Sequence, residues 1–90
     1  MLLRNLEPAR IDPQALALQA LGWTLQDDAR AERLLALTGL DAATLRASLG
    51  QPDTLRGVLD FVAGHEPDLM ACADALQVKP EQLLAARDTL

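Results

Sequence analysis

The sequence predicts an all-α fold, a compact single-domain bundle of about six short helices. Three observations predict it. Four of the five prolines, Pro13, Pro52, Pro67 and Pro80, stand where a first helical residue is expected, a position at which the missing N–H does no harm. The diet is that of helices, with 20 Leu and 16 Ala, no Tyr, and Trp23 and Phe61 as the only aromatics. No segment alternates with the two-residue period of a strand; apolar residues recur instead at i, i+3, i+4 and i+7. Ninety residues form one domain with one core. The reading assigns residues 1–11 to a flexible N-terminal arm and 12–90 to the helical domain.

Taken in order, the first helix runs over 13–26 with Asp12 placed to cap it. Asp27 caps a second over 28–38, and Asp41 a third over 42–49, since each short carboxylate can accept from first-turn amides that lack partners within the helix. Gly39, Gly50 and Gly64 read as stops. The remaining helices cover 52–63, 67–76 and 80–88, with connections of only a few residues. Leu55, Val58, Leu59 and Val62 form one apolar stripe, and Leu69, Cys72, Ala73 and Leu76 another, leaving each helix one wet face. Three hydrophobic staples, Ile11 with Leu16, Leu40 with Leu45 and Val78 with Leu83, fix the angle at which the chain turns into a helix. The last of these has Lys79 at the cap, which cannot accept a hydrogen bond, so the sixth helix is expected to fray first.

A shift of 38 positions lays Trp23 over Phe61, Leu40 over Val78 and Leu45 over Leu83, which suggests two three-helix units in tandem. Identities under that shift are few (Leu21/Leu59, Leu45/Leu83 and Ala47/Ala85) and no better than chance in a chain this rich in Leu and Ala. The pattern is an architectural hint only.

The segment PQALALQALGWTLQ, residues 13–26, carries no charge although 23% of the chain is charged. Leu18, Leu21 and Leu25 form one stripe on a helical wheel, and Leu16, Ala20 and Trp23 form another on nearly the opposite side. Fourteen helical residues rise only about 21 Å, short of the roughly 30 Å hydrocarbon core of a bilayer, so no membrane role is expected. A helix apolar all round is either central in its bundle, the plainer reading, or meets its own bundle on one side and a second molecule on the other. Gly22 suits both, because it lets a neighbouring backbone approach closely. Under the second reading the candidate interaction surface comprises Leu16, Leu18 and Trp23, and the partner is another protein or a second copy of the chain.

Charge and inventory narrow the function classes. Thirteen acidic against eight basic residues give a net charge of −5, which repels phosphate backbones, so no nucleic acid is expected as partner. The outline LALTGLDAATLRASL, two helices about a glycine turn, is nevertheless that of a helix-turn-helix, and a weak nucleic-acid-binding regulator is the alternative function. Its second helix is short, starts at Asp41 and offers only Thr44, Arg46 and Ser48 to a nucleic acid. One Cys, one His and one Ser leave almost no catalytic inventory. Cys72 belongs to an apolar stripe and reads as a small buried hydrophobe; His65 reads as a residue of a helix connection. Grouped with Glu66 and Asp68, His65 offers the one place for a hydrolase or metal site, and it ranks last. Asp27, Asp28 and Asp74 complete the acidic residues near helix ends, where capping explains most of them. No catalytic residues, no cofactor and no metal are expected. A lone cysteine and an N-terminus without an export signal suggest a cytoplasmic protein.

The succession ALALQALGWTLQDD, RLLALTGLDAATLRA, LRGVLDFVAGHEPDLMACADAL and PEQLLAAR resembles, over residues 13–90, a family of short bacterial proteins known as domain of unknown function 3572. The LALTGL turn and the VLDF stretch are its most telling pieces. The resemblance implies an all-helical fold and brings no catalytic residue, cofactor or partner with it. Lys79, where a capping Asp is expected before PEQLLAAR, departs from the pattern.

Overall fold

In the computed structural model, which describes residues 12–90, six helices follow one another without a strand among the described residues. They are α1 (Pro13–Leu25), α2 (Asp28–Thr38), α3 (Ala42–Ala47), α4 (Pro52–Ala63), α5 (Glu66–Leu76) and α6 (Pro80–Thr89). The expected fold class holds, with most helix ends within a residue of those read from the sequence. The expected arm over residues 1–11, and Ile11 with its staple to Leu16, lie outside the described residues.

The caps explain the boundaries. Asp27 accepts from the Ala29 N–H at 3.2 Å and Asp41 from the Thr44 N–H at 2.7 Å. The Thr44 amide holds the Asp41 carboxyl below the usual carboxylate range. Asp12 stands at the start of α1 without using its side chain there, so Pro13 alone marks that start. Gly39 closes α2 in the left-handed region at φ 72°, where a residue with a Cβ pays a steric cost.

Two helix ends differ from expectation. The third helix stops at Ala47 instead of 49, because the Ser48 hydroxyl donates back to the Thr44 and Leu45 carbonyls and the chain turns there, ahead of Gly50. The sixth is not left open at Lys79: the Gln82 Oε1 accepts from the Lys79 N–H at 2.7 Å, the reciprocal half of a capping box.

The 38-residue hint has a structural counterpart. α2 and α5 are of equal length, and both start and end 38 positions apart. Both close on a left-handed residue, Gly39 in one and Gln77 (φ 58°) in the other. The third helices, α3 and α6, also start 38 positions apart, yet α3 has six residues and α6 ten.

α1 is the helix about which the others gather. It packs on α4 and α6 most extensively, and also on α2 and α5. Leu16, Ala17, Ala20, Leu21 and Trp23 are buried, meeting Leu55, Val58, Leu59 and Val62 of α4 within one continuous core. Ala17 and Ala20, both fully buried, keep that surface shallow so that helix axes can approach. Thr24 is buried as well, and satisfies itself by donating to the Ala20 carbonyl at 2.8 Å.

Trp23 is held from both sides. One side meets the core, and the Arg30 guanidinium lies over its ring at 3.8 Å from the centroid while donating to the Trp23 carbonyl at 2.8 Å. Truncating Trp23 to Ala removes a large buried side chain and leaves Arg30 nothing to cover. The expected cost is about 3–5 kcal/mol in urea unfolding. A loss under about 1 kcal/mol would show that the indole is not an anchor of the core.

Candidate functional site

Of the three residues named for an interaction surface, the structure turns two inward. Leu16 is 1% exposed and Trp23 8%, so both belong to the core, whereas Leu18 is 42% exposed. The two stripes differ: Leu16, Ala20 and Trp23 are all buried, while of the other only Leu21 is, with Leu18 and Leu25 exposed. The large apolar residues left on the outside of α1 are Leu18 and Leu25, with the exposed Gly22 between them. A Cβ built on Gly22 meets nothing within 4 Å among the described residues, so none of the six helices uses the close approach that this glycine permits.

A second apolar surface was not singled out in the sequence. α3 packs only marginally on the rest of the bundle, and Leu45 is its one buried side chain. Space therefore opens on both sides of it. Between α2, α3 and α4 lies a groove of about 510 Å³ with Leu40, Leu45, Val58 and Phe61 among its lining residues. That is within the roughly 300–1,000 Å³ of typical ligand sites. Leu37, the most exposed large apolar residue described, stands on its lip. On the other side of α3 a smaller crevice of about 130 Å³ reaches Leu21, Leu25 and Leu49.

The groove wall formed by α4 has an unusual composition. Asp53, Gly57 and Asp60 follow one another at i, i+4 and i+7 among its lining residues, and no Lys, Arg or His among the described residues lines the groove. Arg56 reaches Asp53 at 3.2 Å and Arg87 reaches Asp60 at 3.7 Å, both without lining the groove. Arg56 also donates twice to the Leu90 main-chain oxygen, at 2.8 and 3.2 Å, tying the end of α6 to α4. Gly57 sits in mid-helix, where glycine costs roughly 1 kcal/mol relative to Ala, and a Cβ built on it meets nothing within 4 Å.

His65 and Asp68 do come together: the His65 Nδ1 is 3.1 Å from the Asp68 Oδ2. The same oxygen accepts from the Arg33 guanidinium at 2.9 Å, and Asp68 is buried. Glu66 is exposed and stands apart from this contact. Arg33 lies over the Phe61 ring at 5.4 Å, as Arg30 does over Trp23. The group thus joins α2 to α5. Its geometry is that of a structural ion pair. Among the described residues no three His, Cys, Asp or Glu side chains converge to hold a metal ion. Asp27, Asp28 and Asp74 are exposed.

Cys72 is fully buried in the core. Desolvation pushes its thiol up to about 11; nearby Arg30 opposes that shift and Asp68 adds to it. A thiol so placed is a poor nucleophile at neutral pH.

Residues 10–90 match the family described as protein of unknown function (DUF3572). The chain belongs to that family. No curated protein and no solved structure matches it. The DUF3572 match covers all six helices, the groove and Gly57, so these features lie within the family's domain. No helix among the described residues is long and apolar enough to cross a membrane.

The Cys72 thiol sets a pH dependence. Folding raises its pKa from 9.0 to about 11, so between those values the unfolded chain releases a proton that the folded chain retains. Stability attributable to this group is complete below about pH 9 and falls as pH rises towards 11. Replacing Cys72 with Ala should flatten the stability profile over that window relative to the parent. Parallel profiles would contradict the burial of the thiol.

Proposed function

We propose that this domain is a non-catalytic protein-interaction module of the cytoplasm, and that its partner sits in the groove between α2, α3 and α4. One observation carries the reading: a sizeable groove with an apolar floor stands open beside a leucine, Leu37, that is 74% exposed. Leaving the Leu37 side chain in water is unfavourable by roughly 25 cal/mol per Å² of apolar surface, which a partner covering it would recover. The thin catalytic inventory supports the same reading, as Cys72 is enclosed and the Asp68 carboxylate is engaged by Arg33 and His65. Nucleic acid is not part of the proposal. The helix that would enter a groove of DNA in the helix-turn-helix outline is α3, six residues long and opening on the carboxylate of Asp41.

A second reading, self-association through the outer face of α1, is favoured by the uncovered row of Leu18, Gly22 and Leu25. One experiment separates the two. A photo-crosslinking residue is placed at Leu37, at Leu18 or, as a control, at Glu81 on α6, and the variants are irradiated in living cells. The proposal predicts adducts with another protein from position 37 and none from 81. Adducts of twice the chain mass from position 18 alone would establish the second reading instead. Equal yields at 37 and 81 would contradict the groove.

A further inference from the structure

Polar contacts tie five of the six helices to a neighbour. Arg30 of α2 donates to the Trp23 carbonyl of α1, Arg33 of α2 meets Asp68 of α5, and Arg87 of α6 meets Asp60 of α4. Among the described residues no hydrogen bond or ion pair joins α3 to another helix, and its polar groups are satisfied locally. Asp41 accepts from the Thr44 N–H, and the Ser48 hydroxyl donates to the Thr44 and Leu45 carbonyls. Moving α3 away from the bundle therefore breaks no polar contact with it and leaves the cap of α3 in place.

What holds α3 is apolar and small. Leu45 is its one buried side chain, with Leu40 and Leu49 partly buried at either end. That leucine also has a singular position. It lines both the groove of about 510 Å³ and the crevice of about 130 Å³, and no other described residue lines the two. Val58 and Phe61 of α4 share the first space with it, and Leu21 of α1 and Leu35 of α2 share the second. Leu45 is thus the partition between two apolar spaces, carried on the helix with the fewest ties.

We infer that α3 is a gate. It detaches while the other five helices stay packed, withdraws Leu45, and joins groove and crevice into one apolar cleft reaching from Phe61 to Leu21. Openings smaller than global unfolding are drawn from segments with few buried contacts, and α3 is such a segment. An apolar ligand filling the joined cleft would favour the open form in proportion to its preference for that form over the closed one. The gate goes beyond the interaction reading above and stands whatever occupies the groove.

The test follows thiol labelling of the full chain by dithionitrobenzoate at about pH 8, where an exposed thiol is in part thiolate. Leu45→Cys and Leu83→Cys make the same change at the one buried leucine of α3 and of α6, and Cys72, fully buried, serves as the reference within each molecule. The thiol at 45 should react at least about tenfold faster than Cys72 and with a shallower dependence on urea, because the opening that exposes it uncovers less surface than unfolding. The thiol at 83 should react in step with Cys72. Leu21→Cys, on the crevice wall, should also react ahead of Cys72, since withdrawal of Leu45 uncovers it. Reaction at 45 in step with Cys72 would overturn the gate. Equal acceleration at 45 and 83 would overturn it too, by tracing the effect to the substitution, as would reaction at 45 as fast as in the unfolded chain, which would mean a site already open. Reaction at 21 in step with Cys72 would overturn the joined cleft. None of these outcomes involves a partner, so failure here is distinct from failure of the interaction reading.

Discussion

The packing of α1 against α4 is the contact on which the other helices depend. Both helices carry small or branched side chains where they meet, Ala17 and Ala20 on one and Val58 and Val62 on the other, all with essentially no exposure. A small domain buries only about 60–65% of the surface its unfolded chain exposes, so a shallow, tightly fitted seam of this kind counts heavily in a thin stability margin. α6 lies against both members of the pair, α5 closes over α4 and α1, and α2 is held to the same core through the fully buried Leu34. Arg30 and Arg33 of α2 then lie over Trp23 and Phe61, the aromatics that terminate the two central helices. This placement carries a cost, because the buried Nε of Arg30 has no hydrogen-bond partner among the described residues. The covering of the indole and the bond to the Trp23 carbonyl offset it.

That organisation leaves α3 as the exception. Five helices share the core broadly, while α3 hangs on Leu45, with Leu40 and Leu49 partly buried at its ends. The near-repeat of helix positions makes the exception informative, since α6 shows how a longer third helix is accommodated. The difference between the two units is not made up elsewhere in the described chain; it persists as the groove on one side of α3 and the crevice on the other.

Much of the fold was legible in the residues. Prolines at 13, 52 and 80 each begin a helix, Pro67 falls at the second residue of one, and Asp27 and Asp41 use their side chains as their positions suggest. These signals are local, and local signals survive folding. What could not be read depended on partners distant in the chain. The helical wheel gave α1 two apolar stripes, but how much of each is covered is decided by α4 and α6, far along the chain; so Leu16, Leu21 and Trp23 went inward and Leu18 stayed out. The pairing of Arg33 with Asp68 is likewise a matter of tertiary placement. Gln77 takes the left-handed turn that Gly39 takes in the first unit, and nothing in a glutamine announces that conformation. Gly57 stands in mid-helix off the apolar stripe of α4, and the open space beside it depends on where α2 and α3 lie.

The central claim is that α1 and α4 form a common frame to which α3 is only lightly attached. Amide hydrogen exchange by NMR tests it most directly, because it assigns an opening free energy to each helix separately. The account predicts that amides from Ala17 to Thr24 and from Val58 to Val62 exchange only through global unfolding, and that those of Leu45 to Ala47 exchange through a local opening far below it. Protection of α3 equal to that of α1, or release of α1 before α6, would contradict the frame and remove the physical basis for the groove.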